Sequence, residues 1–572
     1  MRAGLSAAAL AAVLAACAAP PASDAPAGRA QAGDSFFGNY LAGRFARATN
    51  DTAAAAEFFT QALADDPENP ILLRRTMLLL VADGRVDESL PVARRLLRAD
   101  AGDAAAQLVL ATASLKGGDF ADAGRRLEGS PRTGINSLLT PVMVAWSEAG
   151  QGNTDAALKA LGPLGENQAL QPIQAYHVGL INDVAGRTAA AEAAYRGILE
   201  KPAGGTLRVV EAYGRLLQRA GRIDEARTLY QTYLDRNPDS PAIAAAMAAL
   251  AGPVPATPAV ADAAGGAAEA LYTTAAILSR DDSGEAVEVY LALALHLNPR
   301  LDVAHMLQAD IMEGRKRWDQ AIAVYRRVDR SSPYGDNARI RLAWAMNSEG
   351  KTDDAIGILR AAAEERPDRT EAVVMLGDVL RGKERFAEAA REYDRAIQRI
   401  GQPAERHWSL FYTRGIAHER SKQWPKAEAD FKRALQLSPD QPSVLNYLGY
   451  SWVDRGENLG EARRMIERAV DLRPNDGFIV DSLGWALYRM GEYEDAVVKL
   501  ERAIELQPDD PVINDHLGDA YWRVNRINEA RFQWRRSLGL KPEPEAKAAT
   551  EKKLIQGLPP AAITGVRAAQ GD

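Results

Sequence analysis

Only one cysteine, Cys17, occurs in the 572 residues, which leaves no disulfide within the chain and no thiolate set for zinc. Histidine is nearly as scarce: His177, His296, His305, His407, His418 and His516 lie far apart, and no H-E-x-x-H puts two of them on one helical face. Aromatics make up 6% of the chain, too few for the aromatic-rich alternation of strands. A basic excess is missing as well; Lys and Arg total 69 against 76 Asp and Glu, a net charge of -7, which excludes the cationic footprint of a phosphate-backbone binder. Beyond the first sixteen residues no apolar run is long enough to cross a bilayer. Nucleophile motifs fare no better, since GDSFFG from Gly33 has no strand before it. GDVLRGKE, Gly377 to Glu384, has the glycine and lysine spacing of a phosphate loop but ends in Glu384 where such a loop needs Ser or Thr for magnesium. These gaps argue against an enzyme and against any metal site, cofactor or small-molecule substrate.

What the chain has is a period. NYLGYSWVDRG from Asn446, DSLGWALYRMG from Asp481 and NDHLGDAYWRVN from Asn514 are three versions of one motif, closed by Pro474, Pro508 and Pro542 at 34-residue intervals. Apolar residues recur at helical spacing in both halves of each unit, the signature of a helix-turn-helix solenoid of the tetratricopeptide type. The small residue of the first helix, helix A, recurs upstream at Gly43, Met77, Ala111, Ala145, Gly179 and Gly214, then at Ala309, Ala343, Gly377, Gly415, Gly449, Gly484 and Gly518. Twelve or thirteen residues later comes the alanine of the second helix, helix B, as at Ala55, Ala226, Ala389, Ala462 and Ala530, followed after four residues by a bulky one such as Phe59 or Tyr230. Alternating small and large positions are what closely packed helices require. The pattern predicts an all-α solenoid, a right-handed superhelix of about fourteen repeats in two arrays.

At the start, Met1-Arg2, the Ala/Leu/Val run from Ala3 to Ala16 and Leu14-Ala15-Ala16-Cys17 resemble a bacterial lipoprotein signal with its lipobox. That resemblance implies cleavage before Cys17, lipidation of Cys17 and, with Ala18 next, an outer-membrane anchor facing the periplasm. The expected domains are a signal peptide at 1–16, the lipidated Cys17 with a flexible tether at 17–33 and an N-terminal array at 34–251. A Pro/Ala/Gly linker follows at 252–266, then a C-terminal array at 267–542 and a capping helix with a disordered tail at 543–572. The linker reads equally as a hinge or as a loop within one continuous superhelix.

With no catalytic constellation, function must lie on surface. Positions one turn apart on helix A face the concave side of such an array. In the last three repeats they hold Asn446, Tyr450, Val453 and Asp454; Asp481, Trp485, Tyr488 and Arg489; and Asp515, Asp519, Trp522 and Arg523. Acids, aromatics and arginines side by side are the composition of protein-interface centres. The alternative is that the aromatics pack between adjacent helices A while Asp and Arg pair across repeats.

From Ser443 to Leu540 the sequence resembles the C-terminal repeats of a proteobacterial family of long tetratricopeptide outer-membrane lipoproteins. The resemblance implies a scaffold without enzymatic activity. One member type is an adaptor that brings a periplasmic carboxyl-terminal processing protease to cell-wall hydrolases; the alternative is an assembly factor for a secretion, pilus or exopolysaccharide export machine. Either way the partners are proteins, not nucleic acid.

Overall fold

The structure, a computed structural model, describes residues 35–130, 133–201, 205–252, 256–281 and 284–560. The expected signal peptide, Cys17, the tether and the tail beyond 560 lie outside the described residues. Two compact units divide the chain, one running to Ala338 and the other starting at Arg339.

The first unit holds α1 (Phe36–Ala48), α2 (Thr52–Asp65), α3 (Pro70–Ala82), α4 (Val86–Ala99), α5 (Ala104–Lys116), α6 (Phe120–Glu128), α7 (Asn136–Gly150), α8 (Thr154–Ala160) and α9 (Gln171–Val184). It continues with α10 (Thr188–Leu199), α11 (Leu207–Arg219), α12 (Ile223–Arg236), α13 (Pro241–Ala249), α14 (Ala263–Leu278), α15 (Gly284–Leu297), α16 (Asp302–Gly314) and α17 (Trp318–Tyr325). The boundary falls inside α18 (Gly335–Ser348). The second unit then comprises α19 (Thr352–Glu365), α20 (Glu371–Gly382), α21 (Phe386–Ile400), α22 (Trp408–Arg420), α23 (Trp424–Leu437) and α24 (Pro442–Arg455). It ends with α25 (Leu459–Leu472), α26 (Gly477–Arg489), α27 (Tyr493–Leu506), α28 (Pro511–Arg523), α29 (Ile527–Gly539) and α30 (Pro544–Gln556). Apart from α13 and α30, these described helices alternate as fourteen helix-turn-helix pairs, six before the linker and eight after it.

Local chemistry starts and stops them. Asp51, Asn69, Asp103, Asp476 and Asp510 each cap a helix by accepting from backbone amides of its first turn, and Pro70, Pro442 and Pro511 stand at first helical positions, where no amide is needed. In the intra-repeat turns Gly84, Gly118, Gly152, Gly186 and Gly221 have φ between 73° and 83°, a left-handed conformation that costs glycine little. Each helix B alanine from Ala55 to Ala530 is fully buried, with Ser89 in the one polar exception. Helix A and helix B approach so closely that a Cβ on Gly214, Gly377 or Gly518 would collide with the ring of Tyr230, Tyr393 or Trp534. Glycine admits the ring, and each buried ring contributes about 1.5–3 kcal/mol. Gly377, the first glycine of the false phosphate loop, is thus a packing residue.

The region of the expected linker departs from the sequence reading. Residues 263–266 already belong to α14, and α14 with α15 turns back onto helices A of the first array instead of opening a second one: α14 lies on α7 and α9, α15 on α3 and α5. Gly266 sits under the indole of Trp146, where a Cβ would clash. Trp146 donates from Nε1 to His177 Nδ1 at 3.1 Å. Arg208 on α11 grips the fully buried Glu269 of α14 through Nε and Nη2 at 2.7 and 2.6 Å, and Tyr176 donates to the same carboxylate. At the far end Arg47 pairs with Glu285 at 2.8 Å, and Arg317 reaches Glu288 at 2.8 Å and the Asn50 carbonyl at 3.0 Å. The small residues AAGG, which composition reads as linker, are there because α14 has to lie flat against Trp146.

Candidate partner-binding groove

Helices α24, α26 and α28 are consecutive helices A of the second unit, and each packs on its own helix B through Gly449, Gly484 and Gly518 against Ile466, Leu500 and Trp534. Between them opens a cleft of about 620 Å³. Four of the expected residues line it: Asn446, Tyr450, Asp454 and Asp481. Sequence reasoning missed Phe478 and Val512, which sit two residues past the capping residues Asp476 and Asp510 and stand exposed at the rim. Their signal was available, since each is a large apolar residue six before the helix A glycine, at a position helix packing leaves open. Among the lining side chains the carboxylates Glu419, Asp454, Asp481 and Asp510 outnumber Lys422 and Arg455. Burial, then Asp481 and Asp454, push the Tyr450 hydroxyl up to about 12, so it stays protonated and able to donate. Asn446 Oδ1 has no hydrogen-bond partner among the described residues. The arrangement suits an extended polypeptide with apolar and cationic side chains.

The other expected residues are used internally. Val453 is fully buried in the core between helices. Trp485 is half-buried and stacks on Tyr488 at 4.8 Å and on His516 at 4.1 Å, so its faces are taken by neighbours within the protein. Arg489 pairs with Asp454 at 3.5 Å, and Arg523 donates to the Tyr488 hydroxyl at 3.2 Å. In the last repeat the strip is covered by α30: Lys553 bridges Asp515 and Asp519 at 2.5 and 2.8 Å, Thr550 donates to Asp515, and Arg523 donates to the Pro559 carbonyl at 2.6 Å. Gly557 passes over Trp522, which itself lies against Trp534. These positions therefore do not form one open strip with Tyr450; a further helix A from the same chain closes them.

His516 takes part in a buried pair, its Nδ1 3.0 Å from Asp481. Burial alone would lower its pKa, but Asp481, with Asp515 and Asp519 beyond it, overrides that and holds it above the ordinary 6.5. A raised folded-state pKa means stabilisation that is complete below the ordinary value and fades as pH rises through the raised one. The urea midpoint of the second unit should accordingly fall on the alkaline side of neutrality, and His516→Gln should flatten that decline; an unchanged slope in the variant would show that the pair is not its source.

Family models for the tetratricopeptide repeat match residues 77–128, 185–250, 341–405 and 408–441, and one described as TPR repeat matches 484–525. The chain is 28% identical over 197 residues to TPR repeat-containing protein PA4667 of Pseudomonas aeruginosa, covering 34% of this chain and 32% of that one. It is 25% identical over 167 residues to the human protein O-mannosyl-transferase TMTC1, covering 29% and 19%. The chain thus spans a third or less of the length of these relatives. Among solved structures it is similar to yeast Tom70 at 14% identity, covering 91% of this chain and 95% of that one, with a TM-score of 0.31. For Cut9 in the Cut9-Hcn1 heterotetramer of APC/C the values are 13%, 92%, 97% and 0.38. A 34-residue period, helix pairs closed on a glycine, and family models matched at five places from 77 to 525 lead to one conclusion: the chain folds as an all-α solenoid that carries tetratricopeptide repeats.

Proposed function

We propose that this protein is a non-enzymatic, protein-binding scaffold anchored through Cys17 to the periplasmic face of the outer membrane. Its specific role in this reading is that of an adaptor holding a carboxyl-terminal processing protease beside its cell-wall hydrolase substrates. The observation that carries the binding role is the cleft on α24, α26 and α28, where Tyr450, Phe478 and Val512 stand among an excess of carboxylates. The adaptor role is supported by the resemblance of residues 443–540 to the lipoprotein family. Mechanistically the scaffold makes and breaks no bonds; it raises the concentration of one partner next to the other.

The test is affinity purification from detergent-solubilised envelopes, alongside a Tyr450→Ala/Phe478→Ser variant whose changes leave the helix A glycines untouched. A processing protease and a cell-wall hydrolase should co-purify, with recovery reduced on the order of tenfold in the variant, as loss of central aromatic contacts does. A secretion or polymer-export channel recovered in their place would sink the adaptor role and favour an assembly factor. Equal recovery by both forms would move the binding site away from this cleft.

A further inference from the structure

Solenoids end in trouble, because a terminal repeat has no neighbour to cover its outer face and ordinarily presents a polar one. The C-terminal end obeys this. Its last helix, α30, sits where helix A of a further repeat would, Thr550 meeting Asp515 as His516 meets Asp481 one repeat earlier, and it turns Glu545, Lys547, Glu551 and Lys552 to solvent. The N-terminal end does the opposite. On α1, Phe37, Leu41 and Phe45 follow at intervals of four, one face of the helix, and are 73%, 61% and 72% exposed. Counted from the helix A small residue, Phe45 corresponds to Leu79, Ala486 and Ala520, all buried, and Leu41 to Ser482 and His516, also buried. Two of the three thus sit where a preceding repeat would cover them. Arg44 is exposed on the same side, and Arg47 lies one turn along.

From this geometry we infer that the outer face of α1 is a lipid-docking surface, its apolar stripe lying in the membrane interface with Arg44 at the level of anionic headgroups. The inference rests on the proposed anchor at Cys17 for its occupant. Twenty residues separate Cys17 from Phe37, a distance the backbone spans at no more than about 70 Å and a random coil at about 25 Å on average. Of the described helices α1 is the first after Cys17 along the chain, and so the one on the shortest tether to a lipid there. A helix of 13 residues with Phe and Leu on one face and Arg beside it is the composition of an interfacial helix, and one lipid-linked signal commonly needs such a second contact for stable attachment.

Brominated lipids test this directly. The full protein carrying Leu41→Cys, labelled with an environment-sensitive fluorophore and reconstituted in vesicles of phosphatidylethanolamine with a minority of phosphatidylglycerol, is compared with Val498→Cys, another exposed apolar position. The expected result is strong quenching by bromolipid at 41 and little at 498; equally weak quenching at both overturns the inference. A label at 41 that is shielded from aqueous iodide yet unquenched by bromolipid, in protein that sediments as a dimer, also overturns it and assigns the face to a second copy of the chain. The mass of the N-terminal peptide reports the anchor separately. If Cys17 proves unmodified, both labels are read again in a Cys17→Ser background with added vesicles, where quenching at 41 sustains the surface and its absence rejects it. In that background Phe37→Ser/Leu41→Ser/Phe45→Ser should lower vesicle partitioning on the order of tenfold while leaving helicity unchanged, because all three side chains are exposed.

Discussion

Glu269→Ala is expected to destabilise the N-terminal unit by about 3–5 kcal/mol, the cost of removing one partner from a buried ion pair. Glu269 is fully buried on α14, and Arg208 reaches it from α11 with two of its nitrogens. Burial by itself would raise the Glu269 pKa, but Arg208 prevails and holds it below the ordinary carboxylate value. The sign follows: this stabilisation is present above about pH 4.5 and is lost as pH falls through the depressed value. Without the carboxylate, Arg208 keeps only Glu211, at 2.6 Å, and the Tyr176 hydroxyl loses its acceptor. Because α14 lies against Trp146, indole fluorescence in a urea titration reports whether it has lifted away. A matched apolar pair, Arg208→Met with Glu269→Leu, should recover much of the loss, since apolar replacement of a buried ion pair is often neutral. A single-variant loss under about 1 kcal/mol would show that the α14–α15 hairpin is held by its apolar contacts alone.

The second large effect is expected at the other end. Lys553→Ala leaves Asp515 and the buried Asp519 sharing a pocket with no cation between them, again about 3–5 kcal/mol against the docking of α30. Burial already raises the Asp519 pKa, so part of the cost is relieved by protonation of that carboxyl. Repeats touch only their neighbours, so the damage should remain local: amide exchange should speed up over 544–556 and around Trp522 while α24 and α26 keep their protection. Uniform acceleration through the second unit would contradict that, and unchanged exchange in α30 would show that Leu554 and Leu558, which pack on the core, suffice to hold it.

Sequence alone determined the repeat. A helix B alanine is forced wherever two helices meet too closely for a larger side chain, and the helix A glycine is forced where a ring must pass, so spacing betrays the fold without coordinates. Asn446, Tyr450, Asp454 and Asp481 were legible for the same reason, because helical periodicity aims them to one side and they line the cleft. Which helix A faces stay open was decided only in the tertiary structure. Periodicity specifies how one repeat meets the next, but not whether a distant stretch of the same chain will lie across it. Glu269 meeting Arg208 across 61 residues is a pairing that no repeat period announces, while Lys553 meets Asp519 one period on, in the helix expected to cap the array. They draw the end of the expected linker, 263–266, into a packed helix and turn a binding strip into the seat of a cap, because a buried charge is stable only where the fold supplies its partner.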